Sequence, residues 1–335
     1  MCLFTNYIEN PKYRPNRKNG YNPPKLEDMR LKYVPTKCGR CIECRKEKKR
    51  MWIARLSEEI RVDEKALFVT LTFNNTSLEY LSKETFGRNY TKNNEELHLI
   101  VTKAVRRFLE LIRKHTKKSI KHWLITEKGE DFERIHLHGI IWCDKKLLKH
   151  WRYGYSYIGT FVNEQTINYI TKYMLKVCEK DKTFIGKIFT SKGIGETYVE
   201  REGKKRNRYQ ECKTIETYRT RKGIEVNLPQ YYRLKIYNEE EREKLWIQKQ
   251  EQGYRYIAGE KVSTEDIDTW ENLTNYYQSR AKRLYNDDFE EWQKEKQIKR
   301  LQKMKAYRDK ERTRVSKTLE ARKGAESPKT HDGVY

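Results

Sequence analysis

The chain has 335 residues with 73 Lys+Arg and 48 Asp+Glu, so its formal net charge is +25. Only 36% of the residues are hydrophobic, but 24 Tyr, 10 Phe and 7 Trp argue against disorder of the whole chain. No apolar run approaches the roughly 20 residues of a membrane span, and Met1–Tyr7 lacks the basic and apolar regions of a signal peptide. We therefore expect a cytosolic, soluble protein whose excess positive charge binds a polyanion, usually nucleic acid.

The first third of the chain predicts a basic segment followed by a strand. The first fifty residues are rich in proline, asparagine and lysine and carry 14 Lys/Arg against 5 Asp/Glu. A basic helix is predicted from Glu43 to about Ile60. The β-branched and aromatic run Ala66–Phe73 predicts a strand, and the turn-forming residues 74–77 are expected to end it.

The middle of the chain alternates between helix and strand patterns. Apolar residues at helical spacing predict a helix over Leu97–Lys114, and a second helix fits Glu164–Cys178. Between them lie two predicted strands, His122–Glu127 and Ile135–Trp142, separated by a polar stretch. This order indicates an α+β fold in which helices cover one or both faces of a central antiparallel sheet.

The last third predicts loops and then charged helices. After a loop-rich stretch that reaches Tyr237, the sequence becomes helical and charged. A capping-box pattern at Ser263–Asp266 is expected to open a helical segment that runs to about Lys323. Residues 299–323 carry 11 Lys/Arg against 3 Asp/Glu. Two interpretations of this run stay open, a solvated or frayed helix face and direct contact with phosphates.

Two histidines on one predicted strand are the first candidates for chemistry. In Ile135-His136-Leu137-His138-Gly139, residues two apart point to the same face of a strand, so both imidazoles project together. Such a pair suits a metal ion. Ordinary polar residues on a solvated strand face are an equally open interpretation.

Glu127 is the candidate that would complete a His-His-Glu metal site. If the two middle strands form a hairpin, Glu127 lies opposite Arg134 and is a diagonal, same-face neighbour of His136, within reach of a long side chain. A slip of one residue would move Glu127 to the other face. Glu130 or Glu133 are alternative ligands, and a surface acid at a hairpin end is the other interpretation of Glu127.

The run Tyr169-Ile-Thr-Lys-Tyr173-Met-Leu-Lys176 is the candidate nucleophile. At 100° per helical residue, Tyr169, Lys172, Tyr173 and Lys176 share one face, and the apolar residues occupy another. The two ammonium groups can bind a phosphate and favour phenolate. A divalent ion held by His136, His138 and Glu127 together with an attacking tyrosine predicts metal-assisted phosphoryl transfer on DNA. Two tyrosines allow two successive transesterifications.

These motifs resemble a known family. His136-Leu-His138 resembles the HUH motif of the HUH endonuclease superfamily, and the tyrosine pair resembles its two-tyrosine form. The chain is most similar to replication initiation proteins of the Microviridae, small single-stranded DNA phages, especially the gokushovirus type. Further matching text lies at Met1-Cys2, Cys38-Gly-Arg-Cys41-Ile-Glu-Cys44-Arg-Lys, Trp52-Ile-Ala-Arg55, Phe68-Val-Thr-Leu-Thr72, Glu127-Lys-Gly129, Ser191-Lys-Gly-Ile-Gly195 and Leu228-Pro-Gln-Tyr-Tyr232.

The resemblance implies an activity and its partners. It implies site-specific nicking of the phage origin with Mg²⁺ or Mn²⁺, a 5′-phosphotyrosyl intermediate and rejoining during rolling-circle replication in the bacterial cytoplasm. Phage DNA, single-stranded at the nick, is the implied partner, with Thr70 and Thr72 near it, and a host helicase or polymerase is a further candidate. The implied domains are a cysteine-rich segment (1–60), a nicking domain (61–240) and a charged helical extension (241–335).

The cysteines predict a second metal site. Cys38, Cys41 and Cys44 have the spacing C-x₂-C-x₂-C, which in a cytosolic chain favours metal over disulfides. Tetrahedral zinc needs a fourth ligand, for which Cys2 is the candidate. Reduced cysteines at the start of a basic helix are the other interpretation.

A non-catalytic, zinc-containing protein that binds single-stranded nucleic acid is the alternative function. Charge, tyrosines and cysteines would serve it equally well. It leaves the tyrosine–lysine face and the paired histidines unexplained.

Overall fold

The computed structural model describes residues 1–91, 93–129 and 134–302, together with the single positions 304 and 313. The chain divides into a compact unit, Met1–Asp287, and a second unit, Asp288–Tyr335, in which residues 289–302 are helical. The predicted domain boundaries at residues 60 and 240 stay predictions. None of the helices in the described part of the chain combines the length and the apolar character that a membrane span requires.

The first unit mixes short strands with longer helices. The strands are β1 (Asn6–Glu9), β2 (Tyr33–Thr36), β3 (Ala66–Thr72), β4 (Lys121–Lys128), β5 (Ile135–Trp142), β6 (Ser156–Gly159), β7 (Ile188–Thr190), β8 (Thr217–Arg219), β9 (Glu225–Asn227), β10 (Tyr254–Ile257) and β11 (Glu260–Ser263). The helices are α1 (Ile42–Val62), α2 (Asn75–Phe86), α3 (Asn94–Thr116), α4 (Glu164–Lys172), α5 (Lys204–Arg206), α6 (Gln230–Ile236), α7 (Glu239–Glu251) and α8 (Ile267–Tyr285).

The centre of the first unit is a five-stranded sheet in the order β6-β3-β5-β4-β7, with every neighbouring pair antiparallel. Helices cover both of its faces. The predicted α+β class, with a central antiparallel sheet flanked by helices, is therefore confirmed. The cysteine-rich N-terminal segment and the helical C-terminal part are also present.

Alternation along the strands separates the two faces. Val69, Leu71 and Leu137 are fully buried on one face against α2 and α3. Trp123 and Ile140 are fully buried on the other face against α1 and α4. Because each such side chain contributes about 1.5–3 kcal/mol on burial, the two layers hold the sheet from both sides.

The hairpin of β4 and β5 differs in register from the expectation. Glu127 lies opposite His136, and Ile125 lies opposite His138, so the register is shifted by two residues. The strands extend further toward the turn than expected, and Gly129 N donates to Arg134 O at 2.9 Å to close it. A shift of two residues preserves the face, so Glu127 still lies on the histidine side. The alternatives Glu130 and Glu133 lie outside the described residues.

The predicted helix over Glu164–Cys178 is wrong at its C-terminal end. α4 stops at Lys172, and Tyr173 caps it with helical dihedral angles. The chain then tightens, since Met174 N donates to Thr171 O and Leu175 N donates to Lys172 O. Such i→i+3 bonds are common in the last turn of a helix.

Two further elements differ from the expectation. The residues expected to end the first strand as a turn begin α2 instead, because the Asn74 side chain accepts a hydrogen bond from Ser77 N. Ser263 ends strand β11, and the N-cap of α8 is Asp266, whose side chain accepts from Thr269 N. The local signal for a cap was therefore real, but the helix begins three residues later and ends at Tyr285.

Candidate active site and metal centre

The two histidines lie in the middle of the sheet on the side of α1 and α4. Their neighbours Ile135, Leu137 and Ile141 point to the opposite core, as the alternation predicted. His138 is 8% exposed, and its ring centroid lies 6.2 Å from that of His136. The strand therefore presents both imidazoles to the same side of the sheet, with His138 the deeper of the two.

Glu127 contacts both a histidine and a lysine. Its Oε2 lies 2.7 Å from Nε2 of His138, and its Oε1 lies 2.5 Å from Nζ of Lys176. The contact with His138 is the diagonal one that the observed register allows. Lys176, expected to flank a phosphate, is therefore held against the carboxylate on β4.

Thr70 orients His138 from the neighbouring strand. Its Oγ1 lies 3.0 Å from Nδ1 of His138, and the two residues face each other in the β3–β5 register. A hydroxyl that accepts from Nδ1–H leaves the lone pair on Nε2, the nitrogen that faces Glu127. Thr70 was expected near DNA, and nothing in the sequence indicated this contact.

The donor set suits a divalent ion at one corner of the site. A carboxylate oxygen and an imidazole nitrogen 2.7 Å apart are spaced like two ligands of one ion. His136 is not gathered with them, because among the described residues only the four cysteines form a group of three or more ligands within 4.8 Å. His136 would have to turn toward Glu127 to complete a three-ligand site.

The two tyrosines meet directly above His138. Tyr173 OH donates to Tyr169 OH at 2.7 Å, and the rings are edge to face with centroids 5.5 Å apart. Tyr173 stacks on His138 with ring centroids 4.5 Å apart. The end of α4 therefore brings both hydroxyls to the histidine face of the sheet, although the helix is shorter than predicted.

Lysine charge surrounds the tyrosine pair. Nζ of Lys172 lies 4.2 Å from the ring centroid of Tyr169 and 5.3 Å from that of Tyr173. Nζ of Lys176 lies 5.8 Å from the Tyr173 ring. Positive charge at these distances favours a phenolate over a phenol and attracts a phosphate.

Burial and charge shift the titration of the candidate ligands. Burial acts to raise the pKa of Glu127, but hydrogen bonds from His138 and Lys176 outweigh it and hold that pKa below its ordinary value. Burial, followed by the neighbouring charge of His138, lowers the pKa of His136. Both shifts favour the forms that bind metal, a carboxylate and a neutral imidazole.

The four predicted zinc ligands come together at the start of α1. Cys2 Sγ lies 3.5 Å from Cys38 Sγ and 3.9 Å from Cys41 Sγ, and Cys38 Sγ lies 3.8 Å from Cys44 Sγ. All four sulfurs lie within 4.8 Å of one another. Tetrahedral zinc with bonds of about 2.3 Å places its sulfurs about 3.8 Å apart. The four cysteines can therefore hold a metal ion such as zinc.

Backbone and distant residues support the cysteine cluster. Cys38 N donates to Cys2 Sγ and Cys41 N donates to Cys38 Sγ, each at 3.3 Å. The carboxylate of Asp287, 2% exposed, accepts from Ile42 N at 2.7 Å at the beginning of α1. Asp287 follows α8, so the last helix of the first unit is tied to the cysteine cluster. A partner so far along the chain leaves no local signal in the sequence.

Comparison with known proteins bears on the sheet and the tyrosine helix. Residues 66–178 match the family model of the replication-associated protein ORF2. No curated protein and no solved structure matches the chain. The matched stretch is about a third of the chain and holds β3, Glu127, both histidines and both tyrosines. The similarity supports a role in replication for this part of the chain.

Proposed function

We propose that the chain is an HUH-type nicking and rejoining enzyme that initiates rolling-circle replication of a small single-stranded DNA phage of the Microviridae in its bacterial host. The observation that carries this proposal is the hydrogen-bonded tyrosine pair stacked on His138, which itself contacts Glu127. The match to the replication-associated protein ORF2 family over the same residues supports it.

In this mechanism a tyrosine oxygen attacks the scissile phosphorus. The Tyr–O–P bond forms while the bond to the 3′ oxygen breaks, so the strand leaves with a free 3′ hydroxyl and the 5′ end stays on the protein. Lys172 holds the phosphate beside the tyrosines and stabilises the negative charge that develops on it. The second tyrosine repeats the exchange when a new origin is reached and releases the first end.

Glu127 and His138, with His136, would hold the divalent ion. Mg²⁺ or Mn²⁺ bound there supplies Lewis-acid polarisation of the scissile phosphate. Lys176 keeps Glu127 ionised, and Thr70 keeps Nε2 of His138 available. These two residues thus position ligands rather than contact the reacting atoms.

A cleavage assay tests the mechanism. A labelled single-stranded oligonucleotide with the replication origin of the genome that encodes this chain is incubated with Mn²⁺ and the wild type, Tyr169→Phe, Tyr173→Phe or the double variant. We expect a protein–DNA adduct in the wild type and none in the double variant. Adduct formation that survives in the double variant would place the nucleophile elsewhere.

The cysteine cluster supports a structural zinc ion as a further part of the proposal. Four sulfurs at the separations of a tetrahedral site, three of them buried, suit a closed structural site. The same cluster is the specific support for the alternative, a non-catalytic zinc protein that binds single-stranded nucleic acid. Tight binding of the oligonucleotide without any adduct in the wild type would favour that alternative.

A further inference from the structure

A cleft of about 760 Å³ opens beside Tyr169, between β6 and the beginning of α4. Aromatic rings form much of its wall. They belong to Phe68 on β3, Tyr157 on β6, Phe161 in the following loop, and Tyr169 itself. The mechanism proposed above uses only Tyr169 of these four.

The aromatic rings around the cleft are unusually exposed. Phe161 is 77% exposed, Tyr157 is 53% exposed and Tyr169 is 42% exposed. Phe68 packs edge to face between the two tyrosines, with ring centroids 6.2 Å from Tyr157 and 6.0 Å from Tyr169. Exposed apolar rings that share one concave surface mark a place where a ligand is covered.

The charge of the cleft identifies the kind of ligand. Among the described residues that line it, none is charged, although the chain as a whole has a net charge of +25. The nearest catalytic cation, Lys172, lies over the Tyr169 ring rather than in the lining. A cleft with aromatic walls and no cation suits a flat, neutral ring and does not suit a phosphate.

We propose that this cleft binds one unpaired nucleobase of single-stranded DNA next to the phosphate that Tyr169 attacks. The inference rests on the proposed function for the position of the phosphate. Stacking on Phe161 and Tyr157 supplies the affinity, and Gln165 and Thr160, which also line the cleft, offer polar groups to the base edge. A base in a duplex is stacked on its neighbours, so the cleft selects strands that are already open.

Binding measurements without cleavage test the proposal. The affinity of wild type, Phe161→Ala and Tyr155→Ala is measured by fluorescence anisotropy with short oligothymidylate and with an abasic strand of the same length. Tyr155 is the matched control, since it is 70% exposed but does not line the cleft. We expect Phe161→Ala to bind oligothymidylate about 5-fold to 100-fold more weakly and the abasic strand as well as wild type does.

Two further variants protect the test against misfolding. Phe161→Tyr keeps a ring and should restore binding, while Phe161→Leu keeps apolar bulk and should bind oligothymidylate as weakly as Phe161→Ala. An equal loss on the abasic strand, or an equal loss in Tyr155→Ala, would overturn the proposal. No divalent ion is added and no bond is cut, so a failure of the nicking proposal leaves this result readable by itself.

Discussion

Tyr169 and Tyr173 share one hydrogen bond but differ in their surroundings. Tyr169 is 42% exposed and accepts the bond, whereas Tyr173 is 6% exposed, donates it and stacks on His138. Accepting a hydrogen bond stabilises the ionised form of a phenol. Tyr169 is therefore the better placed nucleophile for the first attack on an incoming strand.

This difference predicts an order of action. In single-turnover cleavage, Tyr169→Phe should slow the first adduct by at least about 100-fold, and Tyr173→Phe by about 10-fold or less. Tyr173→Phe should instead fail in rejoining, measured as a circular or transferred product. Equal slowing of the first adduct in both variants would contradict the order and indicate two equivalent nucleophiles.

His98 on α3 predicts a pH dependence of stability. Burial, with added repulsion from Lys187, lowers its pKa from 6.5 to about 4, and Nε2 contacts Ile185 O at 3.1 Å. Above pH 6.5 both folded and unfolded states keep this imidazole neutral, so it adds no pH dependence. Between pH 6.5 and 4 only the unfolded state takes up the proton, and stability falls, by about 2 kcal/mol at pH 5.

Urea unfolding at several pH values checks this sign. The free energy of unfolding of wild type should fall more steeply than that of His98→Gln as the pH drops from about 7 to 5. Gln keeps a donor for the Ile185 carbonyl but does not titrate. Parallel pH profiles of the two proteins would show that His98 is not the responsible group.

At the scale of elements, the loop after β7 is clamped onto α1. Gly195 N donates to Oε2 of Glu59 at 2.6 Å, and its carbonyl accepts from Tyr232 OH at 2.8 Å. Arg55 Nε donates to Ile194 O at 2.9 Å. The loop therefore joins α1, which covers the site face of the sheet, to α6.

Gly195 is the position where this clamp tolerates no side chain. Its φ is +72°, and a Cβ would lie 2.4 Å from Arg55 O. Gly195→Ala should lower the free energy of unfolding by about 3 kcal/mol or more, from the left-handed backbone and the clash together. Gly20→Ala is the matched control, since φ is +60° and nothing lies within 4 Å, and it should cost about 1 kcal/mol. Equal losses in urea unfolding would show that the clash relaxes freely.

At the scale of the whole molecule, the cysteine cluster connects distant parts of the first unit. It joins Cys2 near one end to α1, and Asp287 ties α8 to the same place. Gln278 Nε2 also donates to Leu3 O at 2.7 Å. A metal ion bound by four thiolates would therefore stabilise the chain well beyond its own ligands.

Metal removal tests this coupling. We expect one equivalent of zinc per purified chain, and a chelator or Cys44→Ser should lower the Tm by about 5 °C or more. Cys212→Ser, at an exposed cysteine outside the cluster, should keep both the zinc and the Tm. A chain that holds no metal, with Tm values unaffected by chelator, would leave the cluster as reduced cysteines.

Local patterns determined much of the architecture. Alternation put Val69 and Leu71 in the core and both histidines on the other face, because consecutive residues of a strand point to opposite sides of the sheet. The cysteine spacing indicated a metal site, and the helical spacing placed Tyr169 and Tyr173 together. These features depend only on neighbours along the chain, so the sequence alone carries them.

The contacts that make the site were decided by the tertiary structure. The register that brings Glu127 to His138, the Thr70 contact on the same ring, and the cap that Asp287 places on α1 each join residues from different elements. The fifth strand β6 and its aromatic cleft likewise depend on pairing with β3. Such pairings are selected by the packing of the whole molecule, and no periodicity within one segment records them.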